Sequence, residues 1–151
     1  MNQLKILLKR LFFLNRGFPL RTHRFFHLPE QKIKKCLFLS PIVNMKVLVD
    51  DMMKCSNINE DILKEKQEIK TNFGQTLYYD YYTYIKENPI TTWNTETHIL
   101  YGDKDNLQSH DLIQKFTKNY NCKLLILKNG EHFFHTKKQL DFYKNWLNEI
   151  F

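Results

Sequence analysis

The fold of this chain is decided by two stretches, Thr97-His-Ile-Leu-Tyr-Gly-Asp-Lys-Asp105 and Lys123-Leu-Leu-Ile-Leu-Lys-Asn-Gly-Glu-His132. Each begins as a short apolar run and passes through a glycine into a polar loop, which is typical of a buried strand that ends in a turn. Apolar residues at helical spacing follow both loops, in 108–120 and in 136–151. Strand, helix, strand and helix in succession predict βαβ units and a parallel sheet.

The two loops carry an acid and a histidine. Asp105 follows the first strand and His132 follows the second. In open parallel sheets, catalytic groups lie beyond the carboxyl ends of the strands, so we expect these side chains to meet there. A carboxylate bonded to one imidazole nitrogen leaves the other nitrogen free to act as a base.

The chain before these stretches predicts one more strand and a polar, helix-rich region. Lys35-Cys-Leu-Phe-Leu-Ser40 is a short apolar run that stops at Pro41, as buried parallel strands do. Within 44–93 the sequence predicts a helix from Asn59 to about Lys70. The tyrosine-rich run Thr76–Ile85 predicts another helix, with its aromatic face packed and its other tyrosines at the surface. A pocket lining made by these tyrosines is the alternative.

The order strand, G-x-x-D, helix, strand, G-x-H, helix resembles the closing section of the α/β-hydrolases. The matching residues are 97–105 for the acid strand and loop and 129–134 for the histidine loop. In that family the chain order is nucleophile, acid, histidine. The resemblance implies that Asp105 is the acid and His132 the base of a catalytic triad.

The same resemblance implies the domain organisation. Residues 36–151 would be the C-terminal part of an α/β-hydrolase domain, a parallel sheet flanked by helices. Ser40-Pro41 resembles the point where many members enter a helical lid, which would span about 44–93. Residues 1–35 would be a separate basic segment, in which a string similar to the nucleophile elbow is degenerate, displaced or a coincidence.

Each site residue has a rival explanation. Asp105 could simply cap the helix that follows it, and Asp103 is an alternative triad acid. His132 could be an ordinary loop histidine, and His135 could be the active one.

The nucleophile is missing from the pattern. The family places a serine in G-x-S-x-G on a strand-to-helix turn. The nearest string here is Gly17-Phe-Pro19-Leu-Arg21, in which proline occupies the nucleophile position and arginine replaces the second glycine. Ser40 ends a strand but has no neighbouring glycine. The cysteines lack the flanking pattern of a nucleophile and are expected to pack or to lie at the surface.

Charge and cysteine content limit the partners. Residues 1–35 hold nine Lys and Arg against a single acid, whereas 36–151 hold fourteen basic and fifteen acidic residues. The basicity therefore belongs to the first segment, and it argues against nucleic acid as a partner of the main domain. No apolar run approaches the length of a transmembrane helix. Three widely spaced cysteines without a C-x-x-C predict neither a zinc site nor a disulfide framework, and they favour a reducing cytoplasm. We expect no metal and no cofactor.

We therefore expect a truncated or frame-disrupted serine hydrolase, whose intact relatives act on small ester or acyl substrates. All four arginines lie in the first 24 residues, and such a switch can mark a displaced reading frame. One alternative is a non-catalytic binding module that uses the basic arm on nucleic acid or an anionic membrane. The other is a two-chain hydrolase, in which a complementing chain supplies the missing strands.

Overall fold

The computed structural model describes residues 33–151 and, for the backbone alone, one earlier strand at Ile6–Arg10. The chain divides into two compact units. The first comprises residues 1–43 and 92–151, and the second comprises residues 44–91. In chain order the elements are β1 (Ile6–Arg10), β2 (Lys35–Leu39), α1 (Met45–Cys55), α2 (Glu60–Lys66), β3 (Glu68–Lys70), β4 (Thr76–Tyr78), α3 (Tyr79–Glu87), β5 (Glu96–Gly102), α4 (His110–Asn119), β6 (Lys123–Leu127) and α5 (Lys137–Ile150).

The first unit is built on a four-stranded sheet. Its strand order is β1-β2-β5-β6 and every neighbouring pair is parallel. The register aligns Leu39 with Leu100 and Gly102 with Leu127, so β2, β5 and β6 end at the same edge. The predicted α/β class with a parallel sheet is confirmed.

Helix α5 covers one face of this sheet. Side chains alternate between the two faces of a strand, which places Leu37, Leu39 and Leu100 together. They form one buried cluster with Leu127, Phe134 and Trp146, and Phe142, Tyr143, Leu147 and Ile150 pack against it. The apolar stripe that predicted a helix in 136–151 is therefore the stripe that α5 buries.

The opposite face carries Tyr101, whose ring stacks on His110 at the start of α4 with centroids 6.1 Å apart. The segment that leads into β5 is fixed on the same sheet. Trp93 is 3% exposed, its Nε1 donates to Thr97 Oγ1 at 2.8 Å, and its ring lies 6.1 Å from that of Phe38. The entry to the central strand is thus held by both packing and a buried hydrogen bond.

The second unit combines three helices with a two-stranded antiparallel hairpin, and here two predictions were wrong. The helix that begins after Asn59 ends at Lys66 instead of about Lys70, because Gln67 adopts φ 62° and the chain turns into β3. The helix predicted over Thr76–Ile85 begins only at Tyr79, because Thr76–Tyr78 pairs with β3 across a turn that contains Gly74 at φ 84°. A left-handed residue at that turn favours glycine.

The tyrosine-rich run mainly packs, as expected. Tyr82 is buried, and its hydroxyl donates to Asp50 Oδ1 at 2.9 Å. The ammonium groups of Lys46 and Lys86 lie 5.7 and 5.4 Å from the centre of its ring. Tyr78 is the exposed member of the run.

The remaining predictions concern residues 1–35, the lid and membrane-spanning segments. Ile6–Arg10 is a strand. The Gly17–Arg21 string and most of the basic segment lie outside the described residues. The interpretation of 44–93 as a lid stays a prediction. No helix in the described part of the chain is long and apolar enough to cross a membrane.

Helix α5 offers a test of how the first unit is held together. Thr136 Oγ1 accepts the Gln139 N–H at 3.3 Å, and the Gln139 side chain accepts the Thr136 N–H at 3.4 Å. Because this capping box satisfies free N–H groups at the helix start, Thr136→Ala should lower the free energy of unfolding by about 1 kcal/mol. Thr136→Ser keeps the oxygen and should lose much less. Urea unfolding followed by circular dichroism measures both, and equal stability of the three proteins would contradict the assignment.

Candidate active site

Two side chains predicted to form the site are in direct contact. His132 Nδ1 and Asp105 Oδ2 are 2.8 Å apart, and the side chains are 2% and 0% exposed. A carboxylate has only acceptor positions, so His132 Nδ1 donates to Asp105 and Nε2 keeps its lone pair. The tautomer required of a general base therefore follows from the pairing.

Asp105 is fixed by its own loop. Its Oδ1 accepts the backbone N–H groups of Leu107 at 2.8 Å and of Gln108 at 3.2 Å. Helix α4 begins later, and its N-cap is Ser109. The alternative that Asp105 merely caps this helix is wrong. One carboxylate oxygen holds the loop and the other holds the histidine.

A contact between two glycine backbones joins the acid loop to the histidine loop. A Cβ atom on Gly102 would lie 2.3 Å from the carbonyl oxygen of Gly130, which is far closer than any side chain allows. The loops are also linked by the Lys104 N–H, which donates to the Gly130 carbonyl at 2.8 Å, and by the Asp103 N–H, which donates to the Leu127 carbonyl at 3.2 Å. The ends of β5 and β6 can approach this closely only because neither glycine carries a side chain.

The rival site residues have other partners. Asp103 Oδ1 accepts the backbone N–H of Asn129 at 2.6 Å, and so it ties the start of the histidine loop to the acid loop. His135 Nδ1 lies 3.0 Å from Glu131 Oε2 in a pair whose side chains are 63% and 50% exposed. Neither Asp103 nor His135 forms the buried acid–histidine pair.

Below the pair, two buried side chains brace the acid loop. The Tyr101 hydroxyl donates to the Gln108 carbonyl at 2.8 Å, and Gln108 Oε1 accepts the Val43 N–H at 3.0 Å. Burial, with the charges of Asp105 and Asp103 adding to it, raises the pKa of Tyr101 to about 12. Tyr101 is therefore a neutral donor near neutral pH and not a proton-transfer group.

The described residues supply no partner hydroxyl or thiol for His132. Ser40 is fully buried with φ 42°, and within residues 33–151 its Oγ has no hydrogen-bond partner. Burial raises the pKa of the Cys122 thiol to about 11, and Cys36 is buried. A thiol with a raised pKa is a poor nucleophile near neutral pH. No group of three or more metal-ligating side chains occurs in the described part of the chain.

Two features of the site were missed from the sequence. The ring of Phe133 meets the His132 ring edge-on, with centroids 4.9 Å apart, and is 46% exposed. Gln108 bridges residues that are distant in sequence. The sequence shows a large aromatic residue directly after His132, which could have drawn attention to Phe133, but nothing local distinguishes Gln108 from a surface glutamine.

No family model and no curated protein matches this chain. A putative hydrolase from Agrobacterium vitis S4 is similar in structure, with a TM-score of 0.62 at 12% identity, over 85% of this chain and 55% of that one. Mouse α/β-hydrolase domain-containing protein 10 gives a TM-score of 0.59 at 11% identity, over 85% and 56% of the two chains. This chain has part of the α/β-hydrolase fold.

The esterase Est1E from Butyrivibrio proteoclasticus, whose structure holds ferulic acid, shares this fold. Its TM-score is 0.58 at 18% identity, over 80% of this chain and 51% of that one. The chain thus spans about half the length of these α/β-hydrolase structures. At such identities the likeness concerns the fold.

The identity of the paired acid can be tested by NMR. An imidazole N–H donated to a buried carboxylate exchanges slowly and resonates far downfield. Asp105→Ala should abolish this signal of His132, because the acceptor is removed. Asp103→Ala, the matched control two residues away, should retain it, because Asp103 accepts from a backbone N–H. Loss of the signal in Asp103→Ala with retention in Asp105→Ala would reverse the assignment.

The glycine contact predicts a stability effect. In Gly102→Ala the new methyl group would collide with the Gly130 backbone, and the acid and histidine loops would have to separate. The free energy of unfolding should therefore fall by about 1–3 kcal/mol or more. The substitution should also weaken the His132 N–H signal. Gly74→Ala is the control, since a Cβ there meets no atom within 4 Å and only its left-handed φ is strained. Urea unfolding measures the stability of both variants, and an unchanged stability and signal in Gly102→Ala would contradict the contact.

Proposed function

We propose that Asp105 and His132 are the acid and base of a serine-hydrolase triad that acts on small ester or acyl substrates in intact relatives. The observation that carries this proposal is the buried 2.8 Å contact between them, made from loops that follow two adjacent parallel strands. The order of acid before histidine along the chain is the order of α/β-hydrolases. The likeness in fold to an esterase and to other hydrolases supports the same class.

The chemistry assigned to each side chain follows from the geometry. His132 Nε2 would take the proton of a nucleophile's hydroxyl as it attacks an ester carbonyl, and would return it to the leaving alcohol. Asp105 would hold the ring in the donating tautomer at Nδ1 and stabilise the imidazolium that forms. Its two backbone bonds keep that carboxylate in place while the histidine changes charge.

We further propose that these 151 residues do not hydrolyse esters by themselves. The sequence contains no G-x-S-x-G, and proline stands at the nucleophile position of its nearest equivalent. In a serine protease, loss of the nucleophile alone lowers kcat by about 10⁶-fold. The backbone donor that follows the nucleophile in an oxyanion hole would be lost with the elbow.

The proposed hydrolase function implies roles for the other parts of the chain. Residues 44–93 would be the lid and residues 1–35 a frame-disrupted elbow region. The free cysteines support a reducing compartment such as the cytoplasm. Most of the basic segment lies outside the described residues, and its last residue, Lys35, pairs with Glu96 at 3.4 Å, so the binding-module alternative stays a prediction. No observation within residues 33–151 favours a complementing chain.

A fluorophosphonate probe tests the proposal directly, because it labels only serines that a neighbouring base activates. The purified chain should show no labelling and no turnover of p-nitrophenyl esters, whereas an esterase with an intact G-x-S-x-G should show both. Labelling that disappears in Ser40→Ala would identify Ser40 as the nucleophile and overturn the proposed inactivity.

A second comparison separates a disrupted gene from a two-chain enzyme. Reading the coding DNA in its other frames should reveal a G-x-S-x-G upstream of the codons for Lys35–Leu39. Repairing that frame should create probe labelling that His132→Ala abolishes. If activity instead arises on adding a separate chain with the missing strands, the two-chain alternative is correct.

A further inference from the structure

The second unit contains a cavity of about 480 Å³ that has no part in the acid–histidine pair. It is lined by the end of α1, by one side of α2 and by β3 with the turn that follows. Every lining residue lies between Cys55 and Asn72, so the cavity belongs to this unit alone. Its volume falls within the range of small-molecule sites in proteins.

The walls of this cavity are amphipathic. Ile58, Ile62 and Ile69 line it and are half-buried, which gives a ligand an apolar surface of branched side chains. Lys66 and Lys70 line it as well, and no acidic residue does. The cavity therefore combines an aliphatic surface with a local positive charge.

Among the described residues, the two lysines are exposed and unpaired, as Lys54 and Lys64 of the same unit also are. Lys46 is paired with Asp50, and Lys86 with Glu60. Within the described residues, Lys66 and Lys70 form no ion pair, although both stand at the cavity. Two ammonium groups without a counter-ion beside one concave surface favour an anionic ligand.

An unsatisfied hydroxyl gives an independent indication. Ser56 lines the cavity, and its Oγ is buried with no hydrogen-bond partner in the described part of the chain. Buried hydroxyls are normally hydrogen-bonded, and each exception calls for a missing partner. To donate to a bound anion, the Ser56 hydroxyl must leave this buried position by a change of χ1 rotamer.

We propose that the cavity binds a carboxylate with a medium-length aliphatic chain. The chain packs against the three isoleucines, and the carboxylate accepts from Lys66, Lys70 and Ser56. A fully polar anion would leave the isoleucine surface uncovered, and a neutral alkane or alcohol would leave the two charges unpaired. This site goes beyond the proposed hydrolase function and does not depend on it.

Octanoate is the probe, kept below its micellar concentration and followed by isothermal titration calorimetry on the full chain. We expect saturable binding at one site. Lys66→Gln/Lys70→Gln should weaken it by about tenfold or more, because charge-assisted hydrogen bonds are lost. Ser56→Ala should weaken it less. Lys64→Gln, a change in the same helix at a residue that does not line the cavity, should leave the affinity unchanged.

A second readout uses Cys55, an exposed thiol at the rim of this cavity. Octanoate should slow its alkylation by iodoacetamide, read by peptide mass, and should not do so in the double lysine variant. Octanamide tests recognition of the charge and should bind at least tenfold more weakly. Equal binding of octanamide, undiminished binding in the double variant, or no saturable binding of octanoate would each overturn the proposal. Circular dichroism of every variant verifies that the second unit remains folded.

Discussion

The close approach of Gly102 and Gly130 is the constraint on which the candidate site depends. Two backbones meet where even one methyl group would collide with a carbonyl oxygen. This allows the Lys104 N–H to reach the Gly130 carbonyl and the Asp103 carboxylate to reach the Asn129 N–H. The acid and histidine loops therefore behave as one body, and the 2.8 Å contact of their side chains is a consequence of that. Preorganisation of this kind limits the reorganisation needed at the moment of proton transfer.

Burial gives the pair a second role. The Asp105 and His132 side chains are almost fully buried, so water has little access to them. Each is therefore the other's hydrogen-bond partner in place of water. Removing one would leave a buried polar group without its partner, which costs more than the bond itself contributes. The pair would therefore persist in a chain that has lost its nucleophile, because the packed structure around it requires both. Retention of the two residues is thus compatible with loss of activity.

The sequence predicted the sheet and the site loops because their signals are local. Lys123–Leu127 and the helix capped by Thr136 lie where the apolar pattern placed them. The β3–β4 hairpin was missed because it depends on pairing of Glu68 with Tyr78, residues that no local pattern connects. Tyrosine is common in strands, and the run through Thr76–Ile85 changes from strand to helix within itself. The choice of Asp105 over Asp103 rests on the family pattern, since two acids on one loop are alike until the opposite loop is in place.

Strands β2 and β5 are neighbours and parallel, yet residues 40–95 separate them. A crossover between such strands needs only about a dozen residues. The surplus folds as a compact unit of its own, with its own hairpin and its own charged network. The pairing of β2 with β5 therefore does not constrain the length or the fold of the segment that connects them. Over evolutionary time the inserted segment could be lengthened, shortened or replaced while the sheet and its two loops stayed the same, so that the insertion would diversify separately from the acid–histidine pair.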